Sequence, residues 1–376
     1  MSKYVKINEN EDIKLNKQIK EYLSPDYIYI PYEKDSKLNV KDNEEIKKNS
    51  IILFNKDKFI YSSVSGTVNG ICEMLVDNEK KKTIVIENDF KESSITNINS
   101  KNDILNLTKD EVKKLLAKYG AFEGSLDGNI LLINGIDYEV YEETYSYLIE
   151  EHTESILECI DALINILGIH KCFFAIKNND SRNVETLLNQ IGTYPNIELK
   201  LIPDIYPIGY KDLIIKKLVI DSKINDTIYM TVLDVYNIYL CLKKSNPITE
   251  KLVTITGNLL NKSKVLNVKI GTNLNDIITS EFKILSDDYH IIINGLLSGY
   301  EVNTLNTIIT PNVRSIFINS LSNVKPCKCI NCGLCNINCP VNANPRTGKN
   351  MDKCIKCGLC NYLCPSRIML VGDKCE

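Results

Sequence analysis

CINCGLCNINCP (329–340) and CIKCGLCNYLCP (354–365) are two copies of one pattern, C-x2-C-x2-C-x3-C-P, and together they hold eight of the chain's fourteen cysteines. The spacing decides what the end of the chain folds around. A C-x2-C-x2-C loop is short enough to aim three thiolates at one iron–sulfur cube. The fourth cysteine, about one helical turn on, faces away and ligates the other cube. Cys329, Cys332, Cys335 and Cys364 therefore belong to one [4Fe–4S] cluster, and Cys354, Cys357, Cys360 and Cys339 to a second. Pro340 and Pro365 stand where the chain must turn away, since a residue without an N–H cannot extend a hydrogen-bonded helix. Gly333 and Gly358 follow the second ligands, where backbone amides approach inorganic sulfide closely. Structural zinc uses paired C-x2-4-C knuckles, and disulfide frameworks belong to small secreted domains. Neither accounts for a doubled cysteine triple with proline.

The chain has 376 residues, enough for two or three domains with their own cores. Hydrophobic content of 44% and charged content of 25% are those of a soluble globular protein. The net charge is −3 and no basic tract follows a phosphate backbone, which argues against a nucleic-acid partner. Arginine is scarce, with Arg182, Arg314, Arg346 and Arg367 the four among 45 basic residues, a sign of nucleotide bias in the source genome. The opening MSKYVKINENEDIK has no apolar signal core, and no apolar run nears the ~18 residues needed to cross a bilayer. Reduced thiolates also point to the cytoplasm. Any membrane contact, on the cytoplasmic face, is expected through a partner.

Outward from the cysteines, the pattern changes three times. Residues 1–100 alternate in short runs, YIYIPY (27–32), SIILF (50–54), FIYSSVSGTVNGI (59–71) and KTIVIE (82–87), and predict a β domain with a tight turn or bend at Gly66. Residues 101–220 predict β-α-β units. Thr108 and Glu111 form a capping box for a helix over 108–120, NILLING (129–135) is a buried strand, and an amphipathic helix runs over 142–167 to Gly168. A strand at 171–178, a helix at 182–191 and a strand at 197–203 extend that layer. Residues 221–320 mix a helix (232–244), a strand (251–257) and a strand–turn–helix (265–278), which suits a β-grasp-like module. The cluster segment is 321–376.

This order of segments resembles the RnfC family, the iron–sulfur subunits of ion-pumping ferredoxin:NAD oxidoreductases, and its soluble relatives such as the electron-transfer protein of clostridial proline reductase. SSVSGTVNGI (62–71) resembles the family's barrel-sandwich hybrid domain, LLINGIDYEVY (131–141) its I-N-G-A-E-C-E-P strand end, and YPIGYKDLI (206–214) its Y-P-x-G-x-E-K-x-L-I stretch. ITEKLVTITG with VLNVKIGTNLNDII (248–278) resembles its soluble-ligand-binding β-grasp module, and INGLLSGY (293–300) its G-G-P-M-M-G turn. The resemblance implies an α/β multidomain fold with four parts: an N-terminal barrel-sandwich hybrid, a central α/β domain that binds flavin and NADH, a β-grasp-like module, and a C-terminal two-cluster ferredoxin domain. It also implies that Asn134, Asp137 and Glu139 line the flavin pocket; the plainer reading of these residues is as polar caps at a strand end.

The chain departs from the family in AKYGAFEGSLDGNILLING (117–135), which is shorter than the family's glycine-rich loop and spaces Gly120, Gly124 and Gly128 with bulky or acidic residues. Bare glycine backbones let amides surround phosphate, whereas Glu123 and Asp127 would repel it. Tyr138 replaces a small cysteine, and INGLLSGY lacks the proline and methionines of its counterpart. FMN and NAD are accordingly doubtful cofactors, and NADH dehydrogenase activity of the chain itself is doubtful too. The expectation is a cytoplasmic electron-transfer protein passing single electrons between a flavoprotein or ferredoxin and a reductase or Rnf-type complex. A flavin-dependent NADH dehydrogenase subunit and a structural or sensory iron–sulfur scaffold are the alternatives. Lys328, Lys353 and Lys356 border the ligands, either favouring an acidic partner such as ferredoxin or forming a solvated surface. Cys327 and Cys375 read as bystanders to a complete ligand set, with an alternate ligand or a redox thiol as the other reading; Cys72, Cys159, Cys172 and Cys241 read as small core residues, and His152, His170 and His290 as structural or surface residues without metal spacing.

Overall fold

Alternation in the first hundred residues produces two small sheets. In the computed structural model, which describes residues 5–7, 15–22, 24–55, 58–95, 107–219, 225–320 and 326–366, a four-stranded antiparallel sheet runs Tyr27–Pro31, Glu79–Asn88, Gly66–Val76, Glu45–Ile46. A three-stranded sheet of Lys37–Leu38, Ile51–Asn55 and Lys58–Tyr61 accompanies it. Ile28, Leu53, Val68 and Ile86 are among the side chains that meet in their shared core. Gly66 is not a turn. It opens the strand Gly66–Val76 and pairs with Ile46 on one side and Asn88 on the other. A Cβ on Gly66 would lie 1.8 Å from the Glu87 carbonyl oxygen, so the glycine is required by the close approach of two backbones. Gly66→Ala should cost about 3 kcal/mol, read as a lower urea midpoint; an unshifted midpoint would refute this account.

The central residues build a parallel sheet from the predicted units. Thr108 accepts from the Glu111 amide and Glu111 reaches back to the Thr108 amide, so the capping box starts helix Lys109–Tyr119 as the sequence indicates. Four strands lie parallel in the order Ile197–Ile202, Lys171–Lys177, Ile130–Asn134, Thr227–Thr231. Leu131 and Ile133 point to helices Lys109–Tyr119, Thr144–Leu167 and Val232–Lys244, while Leu132 points to helix Lys211–Leu218 on the opposite face. Both faces are covered, as a parallel sheet requires. The chain adds strands on one side of Ile130–Asn134 and then crosses to the other. Asn134 and Thr231 thus flank the point where strand order reverses, the place at which open α/β sheets take ligands.

Helix Thr144–Leu167 matches the expected amphipathic span but is kinked, with His152 at φ −129° and ψ 22°. No proline or glycine marks that kink. The Thr153 hydroxyl donates to the Ile149 carbonyl at that point, a back-bond of the kind that bends helices. The His152 ring stacks on Tyr236 with centroids 4.5 Å apart.

A six-stranded sheet follows, in the order Leu15–Tyr22, Ser263–Lys269, Glu250–Thr256, Ser315–Ser320, Tyr289–Ile293, Tyr300–Val302. Helix Leu274–Glu281 covers it through Leu274, Ile277 and Ile278. Its outer strand, LNKQIKEY (15–22), pairs in parallel with Ser263–Lys269. The sequence reading names no strand there, because such a polar run shows no period of its own. Lys269 is fully buried, and its ammonium bonds the Ser63 carbonyl (3.1 Å) and the Glu92 carboxylate (2.6 Å), tying this sheet to the N-terminal sandwich.

Candidate iron–sulfur and electron-transfer site

The two cysteine copies share a backbone. Asn331 and Lys356 both adopt positive φ (57° and 52°), Gly333 and Gly358 do so two residues later (75° and 68°), and each copy then enters a short helix, Leu334–Ile337 or Leu359–Leu363. Three thiols of each copy lie at or before the start of that helix and the fourth lies after its end. A cavity of about 130 Å³ opens between the copies, lined by Cys335, Cys339, Cys354, Cys357 and Cys360, with Leu297, Val341 and Leu359 among its apolar walls. Cys357 is within electrostatic reach of Cys339 and Cys354, and Cys335 of Cys332 and Cys364. The fourth cysteine of each copy thus sits beside the triple of the other.

Among the described residues, no three Cys, His, Asp or Glu side chains gather as ligands of a single ion. Thiols ringed around a cavity suit a cube better than one tetrahedral zinc. The local amides help: Ala343 donates to Cys339 Sγ (3.2 Å) and Lys356 to Cys354 Sγ (3.4 Å), contacts that favour thiolate and tune a cluster's potential. Burial pushes the Cys357 thiol up to about 12, so a thiolate there would need a compensating positive charge, which the iron of a cluster would supply. The donor set fits the group.

The second copy is anchored to the rest of the protein. Cys357 and Leu359 pack with Tyr206 and Leu297, and a Cβ on Gly358 would lie 1.8 Å from the Leu297 carbonyl oxygen. The Tyr206 hydroxyl contacts both Glu139 Oε1 (2.7 Å) and the Cys357 carbonyl, and the Leu297 amide donates to Glu139 Oε2 (3.1 Å). A phenol has one hydrogen. Both contacts are satisfied when Glu139 is protonated and donates to Tyr206, which then donates to Cys357. Burial, opposed by the surrounding hydrogen bonds, pushes Glu139 up to about 7, in keeping with that arrangement.

Asn134, Asp137 and Glu139 do come together at the strand end beside the switch point, but their hydrogen-bonding groups are engaged inside the protein. The Asn134 amide donates to the Ile136 and Gly209 carbonyls and the Tyr229 hydroxyl, and its oxygen accepts from the Ile136 amide. Asp137 accepts the Tyr145 and Ser146 amides at the start of helix Thr144–Leu167. Tyr138, Tyr210 and Tyr229 pack around them, with Arg314 5.1 Å over the Tyr138 ring. As they stand, these three side chains offer a flavin no open hydrogen-bonding group.

The expected repulsion of phosphate by Glu123 and Asp127 is corrected by the ion pairs they make. Glu123 meets Lys58 at 2.6 Å, and Asp127 meets Lys109 and Lys113, which hold its carboxyl down at about 2. Their segment lines a cleft of about 600 Å³ with Tyr61, Tyr119 and Phe122. Partners distant in sequence neutralise both acids, so a local charge count overstates the repulsion.

Elsewhere, Cys159, Cys172 and Cys241 are buried and Cys72 is half-buried. Cys327 is exposed with its thiol on the Ser366 carbonyl, and Cys375 lies outside the described residues. His170 is exposed and His290 contacts Glu301. Lys328, Lys353 and Lys356 are exposed. The sequence reading missed Tyr206 and Leu297 as functional residues; both lie in stretches quoted for their resemblance, YPIGYKDLI and INGLLSGY, and that was the available signal.

With this geometry in hand, comparisons with known proteins place the chain. Residues 1–91 match the family described as RnfC barrel sandwich hybrid domain, and residues 112–240 the family described as Nuo51 FMN-binding domain. The chain is 25% identical to the C-subunit of the ion-translocating oxidoreductase complex of Buchnera aphidicola over 352 residues, covering 86% of this chain and 74% of that protein. It is 24% identical to the C-subunit of the proton-translocating ferredoxin:NAD(+) oxidoreductase complex of Clostridium ljungdahlii over 365 residues, covering 88% and 79%. Against the C-subunit of the ion-translocating oxidoreductase complex of Haemophilus influenzae it is 27% identical over 228 residues, spanning 28% of that longer protein. The match to the FMN-binding family runs through 117–135, so the expectation that FMN is doubtful finds no support in it. No helix among the described residues is long and apolar enough to cross a membrane.

Proposed function

The chain belongs to the RnfC family of electron-transfer subunits, and from that premise we propose that it passes single electrons through two [4Fe–4S] clusters between a flavoprotein or ferredoxin and a reductase complex. Cys329, Cys332, Cys335 and Cys364 would hold one cluster, and Cys354, Cys357, Cys360 and Cys339 the other, in a C-terminal ferredoxin-type domain. The observation that supports this reading is the cavity between the copies, where Cys335 and Cys339 of the first face Cys354, Cys357 and Cys360 of the second. The clusters supply one-electron chemistry. The protein's share is to hold eight thiolates in register, exclude water behind Leu297 and Leu359, and donate amides to sulfur. The domain divisions at about residues 100, 220 and 320, with a β-grasp-like module before the clusters, belong to the same proposal, as does a cytoplasmic placement beside partner subunits.

A second reading is favoured by the FMN-binding family match over 112–240: a flavin-dependent NADH dehydrogenase subunit of a ferredoxin:NAD oxidoreductase. One measurement separates the two. Anaerobically purified protein should contain about eight irons and eight acid-labile sulfides per chain. Without flavin, this content supports the relay. With one flavin per chain, the second reading takes over and reduction by NADH becomes the assay. Iron far below four per chain after reconstitution would sink the cluster assignment and with it the relay.

A further inference from the structure

Two copies of one motif sit in unlike surroundings. In the second, Cys357 is buried, Leu359 is 2% exposed, and the Leu297 carbonyl oxygen lies 1.8 Å from where a Cβ on Gly358 would fall. In the first, 25 positions earlier, Cys332 is exposed and Leu334 is 38% exposed. There a Cβ on Gly333 would meet the Ile337 side chain at 3.6 Å and, among the described residues beyond its chain neighbours, no backbone. Equal spacing therefore does not make equal sites. Withdrawal from water disfavours whichever state carries more charge, and reduction adds an electron to a centre of thiolates and sulfide. Burial alone would make the second cluster the harder one to reduce.

One polar group reaches the second site from outside the motif. The Tyr206 hydroxyl donates to the Cys357 carbonyl, and its single hydrogen is available for that bond because protonated Glu139 donates to Tyr206 instead of accepting from it. Both side chains are fixed. Tyr206 is buried in a cluster with Cys357, Leu297 and Leu359. Glu139 is buried, accepts the Leu297 amide at 3.1 Å, and fills the space left by Gly295, where a Cβ would lie 2.1 Å from Glu139 Cγ. The positive end of the phenol O–H thus faces a ligand residue in the apolar wall of the cavity, where a dipole is weakly screened. A donor so placed favours the more negative, reduced state.

We propose that Tyr206 is a positioning residue that raises the reduction potential of the cluster on Cys339, Cys354, Cys357 and Cys360, through its hydrogen bond to the Cys357 carbonyl, and so offsets the penalty of that cluster's burial. The inference rests on the two-cluster reading above.

The test is a redox titration of the full chain with its clusters, followed by low-temperature electron paramagnetic resonance at about pH 6, where Glu139 keeps its proton. Tyr206→Phe removes the donor and keeps the ring. Tyr210→Phe removes a hydroxyl 3.4 Å from the same Glu139 oxygen without touching the Cys357 contact, and Glu139→Gln keeps a donor for Tyr206. In Tyr206→Phe, the signal that Cys354→Ser abolishes should move to lower potential. At a fixed potential the reduced-to-oxidised ratio of that cluster should fall about tenfold, which is about 59 mV for one electron. The other signal and the iron content should stay as in the wild type, and so should both signals in Tyr210→Phe and Glu139→Gln. An unmoved signal in Tyr206→Phe, an equal shift of both signals, or an equal shift in Tyr210→Phe or Glu139→Gln would each overturn the proposal. So would the loss of about four irons in Tyr206→Phe, which would make the hydroxyl a support for the fold of the loop. A wild type without iron fails on the cluster reading instead, and iron analysis of the same samples tells the two failures apart.

Discussion

Cys364→Ser should abolish the spectrum of the same cluster as Cys332→Ser, although Cys364 lies in the other copy of the motif. Cys335 has Cys332 and Cys364 as its electrostatic neighbours, and Cys357 has Cys339 and Cys354, which is the proximity the proposed crossed assignment needs. The reason is geometric. The short helices Leu334–Ile337 and Leu359–Leu363 turn the chain after each triple, carry the fourth cysteine away from its own loop, and pack against each other. Loss of one thiolate from a four-thiolate set should remove about four irons per chain or convert that cluster to a three-iron form. Low-temperature electron paramagnetic resonance of reduced Cys332→Ser, Cys364→Ser, Cys354→Ser and Cys339→Ser would show it. The first two should lose one signal and the last two the other. If Cys364→Ser groups with Cys354→Ser, the crossed assignment is wrong.

Glu139→Gln should stabilise the protein, and more so as pH rises. Burial raises the folded-state carboxyl to about 7 from an ordinary 4.5. A carboxyl whose folded value is raised favours folding in its protonated form. Relative to the glutamine variant, wild-type stability is therefore intact below about pH 4.5, falls between 4.5 and 7, and stays low above. The difference amounts to about 1 kcal/mol at pH 5 and about 3 kcal/mol at pH 8. The glutamine amide keeps a donor for Tyr206 and an oxygen for the Leu297 N–H, so the mutation removes the titration and little else. Anaerobic urea unfolding of both proteins at the two pH values is the check. An equal gap at pH 5 and pH 8 would show that Glu139 is ionised in the fold and that the Tyr206 hydrogen is shared some other way. Outside the unfolding transition, flavin content should not change, because Glu139 is engaged by Tyr206 and Leu297.

Much of the local structure was legible because its causes are local. The capping box at Thr108 and Glu111, the stop at Gly168, the buried strand over 130–134 and the helix over 232–244 each depend on residues within a few positions of one another. Cysteine spacing is legible for the same reason, since a two-residue gap limits where neighbouring thiols can point. Gly66 misled because a glycine between polar residues signals a turn, while here it answers the carbonyl of Glu87, on another strand. Glu123 and Asp127 misled because their charges are neutralised by Lys58, Lys109 and Lys113, which are remote from them in sequence.

The amino-acid sequence by itself determined most of the element types, the doubled cysteine pattern and the excess of cations around it. Tertiary structure alone decided that LNKQIKEY (15–22) closes the edge of a sheet built far along the chain, that Lys269 is buried against Glu92, and that Glu139 reaches the second cysteine loop through Tyr206. It also made two nearly identical motifs unequal, with Leu359 enclosed and Leu334 open to solvent. The physical reason is common to all four. A hydrogen bond or a ligand spacing acts over a few residues, whereas burial and charge pairing depend on which distant segments share a surface, and a one-dimensional pattern does not state that.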